Sequence, residues 1–325
     1  MTHARPGPLN LITDVAGLSV GNAQDAAVRT GVTVLLAEAQ TVAAVDVCGG
    51  APGTRETDAL RAGGLVGAVD AIVLAGGSVY GLGAADGVTA ALGARGRGYR
   101  LRDDAPPAPI VAGAILFDLA NGGDKAWGED PPYAALGREA LDAAAVGFEL
   151  GAVGAGCGAM AGTLKGGLGS TSAVTADGIT VGALAAVNSF GSVAAADGET
   201  FWAAPYEING EFGGRGVAGL AARPDAWPHA KRDPGLRENT TICIVATDAA
   251  LTQVEAERVA VMARAGLARA IRPVFAPFDG DVIFSLATGK VAVAEPRAFI
   301  VARIGALAAD CLARAVARGV YEAAR

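Results

Sequence analysis

Residues 239–248 read Asn239-Thr240-Thr241-Ile242-Cys243-Ile244-Val245-Ala246-Thr247-Asp248. A polar stretch broken by prolines, RPDAWPHAKRDPGLRE from Arg223 to Glu238, runs into it, and an apolar, β-branched run follows at once. The change of character predicts a surface linker that enters a buried strand at Thr240. As local structure, Asn-Thr-Thr ahead of such a run is a turn and a strand start. It also has a chemical reading. With the Asn239–Thr240 bond cut, Thr240 would carry a hydroxyl and a free α-amine. That is a nucleophile and a base on one residue, with no need of histidine.

Composition narrows what the rest of the chain can do. The 325 residues suffice for a sizeable core, in one large domain or two smaller ones. A net charge of -7 and a pI near 5.0 argue against nucleic acid and anionic membrane surfaces as partners. Hydrophobic residues make up 52%, but 47 glycines interrupt them. No run reaches the roughly 18–20 apolar residues of a membrane helix. The opening MTHARPGPLNLITD has no apolar signal core, so a cytoplasmic protein is expected. Cys48, Cys157, Cys243 and Cys311 form no C-x-x-C pair, which implies neither a zinc site nor a disulfide framework; buried thiols are expected. The two histidines are His3 and His229. Any Ser-His-Asp or Cys-His unit would have to use one of them, and a zinc ion held by several histidines is disfavoured. The base of any catalysis is then a carboxylate, a lysine or an α-amine, with no metal or cofactor expected.

Periodicity and turn residues give a mixed pattern. Strands are expected at Leu11 to Val20, Gly31 to Ala37, Ala43 to Val47, Asp70 to Ala75, Ile110 to Phe117, Ser172 to Thr175, Thr180 to Asn188, Ser192 onward, Thr240 to Thr247, Arg272 to Phe278 and Val282 to Ala287. Helices are expected at about Val79 to Leu92, Tyr133 to Ala145, Leu251 to Ala270 and Arg297 to Ala324. Thr252 and Glu255 stand at capping-box spacing before the third of these. Hairpin turns mixed with helices favour stacked α/β layers around a mixed or antiparallel sheet over a doubly wound fold.

Four further places invite chemistry, each with a plain structural alternative. Gly76-Gly77-Ser78-Val79-Tyr80-Gly81-Leu82-Gly83 joins a strand to a helix, where phosphate loops sit, but no G-x-x-x-x-G-K-[ST] is present; close helix packing is the alternative. Lys165, among glycines in Thr163-Leu164-Lys165-Gly166-Gly167, is either a surface lysine or a cation in a tight site. Asn188 ends an apolar strand, as a turn residue or as an amide donor to an oxyanion. Asp279 and Asp281 flank Gly280, either as a simple turn or as two carboxylates that hold an ammonium.

Taken together, these residues resemble a family. The pieces that carry the likeness span nearly the whole chain. They are Ile12-Thr13-Asp14-Val15-Ala16-Gly17-Leu18-Ser19-Val20-Gly21, Thr30-Gly31-Val32-Thr33-Val34, Gly49-Gly50-Ala51-Pro52-Gly53-Thr54, Leu74 to Leu82, Gly154-Ala155-Gly156, Asn188, Asn239-Thr240-Thr241-Ile242 and Ala246-Thr247-Asp248. The chain resembles the DmpA-type aminopeptidases, which include β-aminopeptidases and 6-aminohexanoate-oligomer (nylon-oligomer) hydrolases.

The resemblance implies a four-layer αββα sandwich of the type shared with ornithine acetyltransferase. It implies one precursor, residues 1–325, that cuts itself into 1–239 and 240–325, and a homo-oligomer, often a tetramer. Thr240 becomes the nucleophile; Lys165 and Asn188 line the site; Asp279 and Asp281 lie near the Thr240 amine. The Asn-Thr junction with an Asp-Gly-Asp turn is closer to the nylon-oligomer branch than to the branch with a serine nucleophile. Phe117 stands where several members have a tyrosine near the catalytic centre, and Tyr80 is the alternative source of that hydroxyl. Short peptides, amino-acid amides and linear amide oligomers all suit the implied mechanism. The competing expectations are an acyltransferase of the same fold and a non-catalytic α/β protein that binds a small phosphate ligand at Gly76 to Gly83.

Overall fold

A computed structural model of the chain describes residues 4–222, 226–231 and 239–325. His3 and most of the linker before Thr240 lie outside the described residues. In chain order the elements are β1 (Leu18–Asp25), β2 (Thr30–Val47), β3 (Thr54–Arg55), β4 (Ala68–Ala75), α1 (Gly83–Ala94), β5 (Val111–Ile115), α2 (Tyr133–Asp142), β6 (Met160–Ala161), β7 (Leu164–Lys165), β8 (Gly167–Val174), β9 (Thr180–Asn188), β10 (Thr240–Ala249), α3 (Gln253–Ala270), β11 (Val282–Val291) and α4 (Arg297–Ala323).

The strand order is β3-β5-β4-β2-β11-β10-β9-β8, with β1 also on β2. The β4–β5 and β10–β11 pairs are parallel, and the others along this path are antiparallel. The connection between the two ends of this path is β2. Its first half pairs with β1 and β4; past an irregularity between Leu36 and Thr41, residues 42–47 pair with β11. One long strand therefore belongs to two sheets.

Those sheets face one another, as the division of side chains shows. Successive strand residues point to opposite faces. Ile242 and Ile244 of β10 and Phe284 of β11 meet Leu35 of β2 and Ile72 and Leu74 of β4 in a core between the sheets. The alternate residues Cys243, Val245 and Ile283 turn outward onto α3 and α4, through Val259, Leu267, Ile304 and Leu312. On the far side, Val32, Val34, Val73 and Val111 turn outward onto α1 and α2, through Val88, Leu92, Leu136 and Leu141. Three cores separate four layers, helices outside and sheets inside, which is the αββα order. The continuous apolar runs of β9 and β10, buried on both faces, are what such inner strands require.

Several local expectations give way to tertiary demands. Leu11 to Val20 is not one strand. Ile12–Asp14 is a short 3-10 turn because Asp14 accepts from the Leu9 and Leu11 N–H groups at 3.1 and 3.2 Å, a local alternative to strand pairing. The two strands expected at 31–37 and 43–47 are one, β2. Residues from Ser192 form bends, with Ser192 Oγ bonded to the Ala194 backbone. Arg272 to Phe278 is a loop: Phe275 has φ 59°, and its N–H and that of Ala276 turn to the carboxylates of Asp281 and Asp279. The capping box of α3 forms as the sequence predicts, with Thr252 accepting from the Glu255 N–H. Among the described residues no helix is long and apolar enough to cross a membrane.

Candidate active site

Thr240 opens β10 between two strands. Its backbone pairs with Asn188, the last residue of β9, and the side chain is only 3% exposed. Thr240 Oγ1 donates to the Asn239 carbonyl oxygen at 2.5 Å. The same oxygen accepts the Gly280 N–H at 2.8 Å. So the hydroxyl nearest the Asn239–Thr240 bond rests on that bond's carbonyl, and a backbone donor from the Asp279–Asp281 turn already polarises it. Gly280 can come this close only without a side chain: a Cβ there would stand 2.7 Å from Thr240 Oγ1 and 2.9 Å from the Ala51 carbonyl.

Asp279 and Asp281 flank that glycine and are buried. Asp281 accepts from the Thr241 N–H at 2.7 Å and the Phe275 N–H at 3.3 Å. Asp279 accepts from the Ala276 N–H at 2.8 Å. Burial is the first cause that raises the Asp281 carboxyl above its ordinary range, and the Asp279 charge is the second. Asp279 is raised by burial, against the Ala276 N–H and the Lys231 charge. Among the described residues Asp279 Oδ1 and both polar atoms of the Asn239 side chain are buried without a hydrogen-bond partner.

Beside Asn188 lies a cavity of about 130 Å³, whose walls include Phe117, Asp118, Asn121, Gly158, Asn188 and Lys231. Asn188 Nδ2 donates to the Phe117 carbonyl at 3.0 Å, and its Oδ1 accepts from the Met160 N–H at 2.9 Å. Lys231 Nζ is 3.4 Å from both Asn188 oxygens. The structure thus brings together Asn239, Thr240, Asn188, Asp279 and Asp281, with Phe117 at the cavity wall.

Two expected residues do not touch this group directly. Lys165 is exposed on β7 opposite Met160, a residue of the cavity wall, and among the described residues its side chain makes no hydrogen bond or ion pair. Tyr80 is 48% exposed and packs edge-on against Trp127 at 5.6 Å, outside the residues that line the cavity. His229 sits in a turn with Nε2 3.2 Å from the Ala196 carbonyl. The Gly76–Gly83 loop gives its Gly77 N–H to the Asp118 carboxylate, so a phosphate there would meet a negative charge. Among the described residues no cluster of His, Cys, Asp and Glu has the arrangement of a metal site.

Residues 10–325 match the pattern of Peptidase family S58. The chain belongs to that family. S58 membership makes it a hydrolase of peptide or amide bonds. It is 46% identical, over 97% of its length and 94% of the relative's, to an uncharacterized aminopeptidase of Mycobacterium tuberculosis. It is 30% identical, over 86% of its length and 75% of the relative's, to the 6-aminohexanoate-oligomer endohydrolase of an Agromyces species. Among solved structures, a Burkholderia β-aminopeptidase superposes with a TM-score of 0.72 at 24% identity, covering 98% of this chain and 88% of that one. An L-aminopeptidase D-Ala-esterase/amidase of Ochrobactrum anthropi, described as a variant of the Ntn hydrolase fold, gives 0.71 at 22%, covering 98% and 88%. These last two likenesses establish the fold.

Three features of the candidate site were not read from the sequence. Lys231 lay unremarked inside the polar linker, where a lysine looks solvated. Gly280 acts through its N–H and its missing side chain, and read only as the middle of a turn. Asp118 follows Phe117 as an ordinary polar residue at a strand end. The residues that reach all three come from distant parts of the chain, so no local signal marks them.

Proposed function

We propose that this S58 chain is made as a precursor that cuts itself between Asn239 and Thr240, and that Thr240 is then the nucleophile of amide hydrolysis. The observation that carries the reading is the contact of Thr240 Oγ1 with the Asn239 carbonyl, an oxygen that also holds the Gly280 N–H. In maturation the Thr240 hydroxyl attacks the Asn239 carbonyl carbon. The Gly280 N–H takes the negative charge that develops on the oxygen. The C–N bond breaks, the hydroxyl proton ends on the Thr240 nitrogen, and water cleaves the resulting ester to leave the Asn239 carboxylate.

The freed α-amine, with an ordinary pKa of about 7.7–8.0, then serves as base for the hydroxyl beside it. Attack on a substrate amide gives an acyl-enzyme on Thr240, which water hydrolyses. Asn188 sits across the strand pair from Thr240 as the side-chain donor to the oxyanion; loss of such a donor costs roughly 2.7–4 kcal/mol. Asp279 and Asp281 orient the amine. The names of the relatives support short peptides or linear amide oligomers as substrates. Assembly into a homo-oligomer, which the resemblance implies, is read by light scattering on the processed protein.

The test is the intact mass under denaturing conditions. Two fragments divided at Asn239–Thr240 are expected, with activity lost on Thr240→Ala. A processed and active Thr240→Ala protein would overturn the assignment.

A further inference from the structure

Lys231 ends the segment 226–231, which is fixed from several sides. The Lys231 N–H donates to the Phe190 carbonyl at 3.0 Å, and the His229 carbonyl accepts the Thr163 N–H at 2.8 Å. The segment lies this close only because Gly162 has no side chain: a Cβ there would stand 2.0 Å from the His229 carbonyl oxygen. Phe190 packs edge-on against both Trp227 and Phe278, with ring centres 6.4 and 4.9 Å apart. None of these contacts involves the Asn239–Thr240 bond, so they remain when that bond is cut. From this base Lys231 Nζ reaches the backbone and side-chain oxygens of Asn188, at 3.4 Å each.

The Asn188 carbonyl is also where the new amine is set. The Asn239–Thr240 peptide is trans, and a trans peptide puts a carbonyl and the N–H that follows it on opposite sides. The Asn239 carbonyl points to the Gly280 N–H ahead of β11. The Thr240 N–H therefore faces the other neighbour, β9, where its register partner is Asn188. Opposed residues of an antiparallel pair exchange both backbone bonds or neither, so a Thr240 N–H that faces β9 has the Asn188 carbonyl as its acceptor. The next N–H, that of Thr241, turns back the other way to Asp281, as strand alternation requires. Cleavage leaves the Thr240 nitrogen on its own Cα and hence beside the Asn188 carbonyl. A carbonyl oxygen has two lone pairs. Two nitrogens on one oxygen stand within the roughly 4–6 Å over which one charge moves another group's pKa.

The freed amine is a base only when unprotonated, and a base works best with its pKa near the working pH. Asp279 and Asp281, on the β11 side of Thr240, favour the ammonium. Asp118 adds a further carboxyl group across the cavity. The Cys48 thiol on the Asp281 carbonyl is kept neutral by burial, and Lys165 on β7 is exposed. Among the described residues Lys231 is the cation in the cavity wall, and its charge already acts on Asp279 against the effect of burial. We propose that Lys231 keeps the freed Thr240 amine available as a base, by setting a second positive charge on the Asn188 carbonyl that both nitrogens share. The proposal rests on Thr240 as nucleophile, and it makes the segment ahead of the cleavage point part of the working site.

The experiment uses the processed wild type, Lys231→Met and Lys231→Arg. It measures the pH dependence of kcat/KM for alanine anilide, and the rate at which cyanate carbamylates the Thr240 amine, located by peptide mass. The substrate's own ionisation is common to all three proteins, so a displaced limb belongs to the enzyme, and cyanate reads the amine with no substrate present. The wild-type amine is expected to titrate no higher than the ordinary range of about 7.7–8.0. In Lys231→Met the acid limb and the cyanate titration are both expected to move about one unit toward higher pH, which is about a tenfold loss of activity below both limbs. Lys231→Arg keeps the charge and is expected to keep the wild-type limb. A Lys231→Met enzyme with lower kcat but an unmoved limb would show that the lysine only holds the Asn188 amide, and overturns the proposal. If Lys231→Met does not fold, the wild type decides: an amine that titrates clearly above the ordinary range overturns the proposal without any variant. A chain that splits at Asn239–Thr240 with one limb for all three proteins overturns the role of Lys231 alone. A wild-type chain that does not split overturns the nucleophile reading beneath it.

Discussion

Asp118 and the pair Asp279–Asp281 are all buried, but they are buried in different states of completion. Each oxygen of Asp118 meets a donor, and those donors are braced by Tyr133 and by the glycine loop. Asp279 and Asp281 face each other's charge, and Asp279 Oδ1 has no partner among the described residues. A buried carboxylate left unpaired costs several kcal/mol, and an unmade hydrogen bond about 1–3 kcal/mol. In the uncut chain each oxygen of the first site has a hydrogen-bond donor, though no ion pair among the described residues. The second sets two carboxylates against the one charge of Lys231, which acts on Asp279, and so falls short of positive charge at the Asn239–Thr240 junction. Under the processing reading, cleavage supplies that charge as the Thr240 ammonium. The lesson is that a carboxylate held by donors of its own fold and a pair set at a proposed cleavage point leave different marks in the hydrogen-bond account.

The sharpest way to break this comparison is Thr240→Ala. The variant is expected to remain one chain of 325 residues and to lose several orders of magnitude in amidase activity, as read by intact mass and turnover. Gly280→Ala comes next. Its methyl would crowd Thr240 Oγ1 and the Ala51 carbonyl and displace the N–H that polarises the scissile carbonyl. Processing is expected to slow by about 10²–10³-fold, the scale for loss of one such donor, followed by the appearance of the small fragment on a denaturing gel.

A pH series separates the two sites thermodynamically. Asp281 has a folded pKa raised above its unfolded value, so the folded precursor binds the proton more tightly. At pH above the folded value both states are ionised and the burial cost is fully present; as pH falls through the window toward the unfolded value, that cost disappears. Unprocessed Thr240→Ala is therefore expected to gain stability, as a higher urea midpoint, on acidification from neutral pH. Addition of Asp281→Asn should flatten the trend. A midpoint that rises with pH in both would contradict the unfinished-pair picture.

Thr30→Val removes one hydrogen bond to a charged group and should cost about 1.5–3 kcal/mol by denaturant unfolding. The smallest effect is expected for Tyr80→Phe. Its ring faces Trp127 at the surface, so stability should hold within about 0.5 kcal/mol and hydrolysis should be unchanged. A large loss of activity in Tyr80→Phe would return that hydroxyl to the site.

Much of the candidate site was legible because the residues that the fold brings together lie in short stretches. The junction Asn239–Thr240 is marked by an abrupt change from polar to β-branched residues. Asp279 and Asp281 are two apart, and Asn188 ends an unbroken apolar strand. Lys165 and Tyr80 were drawn in by residue type and likeness, and the fold sets both at the surface. Lys231 and Asp118 were passed over because a lysine in a polar linker and an aspartate after a strand have ordinary local explanations. Strand boundaries slipped where backbone groups found partners far away in sequence, as at Phe275 and Ala276, whose N–H groups serve Asp281 and Asp279 rather than a ladder.

By itself the sequence determined most of the buried strands, the helix stripes and a layered α/β class, because period-2 and period-3.6 patterns are local consequences of where apolar side chains must go; the αββα order was implied by the family resemblance. It also marked Thr240 as the residue that, under the processing reading, would supply both nucleophile and amine. Only the tertiary structure decided that β2 would serve both sheets, that Gly280 would meet the Asn239 carbonyl, and that Thr30, Gly77 and Tyr133 would close around Asp118. Those contacts join residues as far as 245 positions apart, as Val42 and Ala287 are across β2 and β11. They depend on how finished layers pack against one another, and no short stretch of chain carries that information.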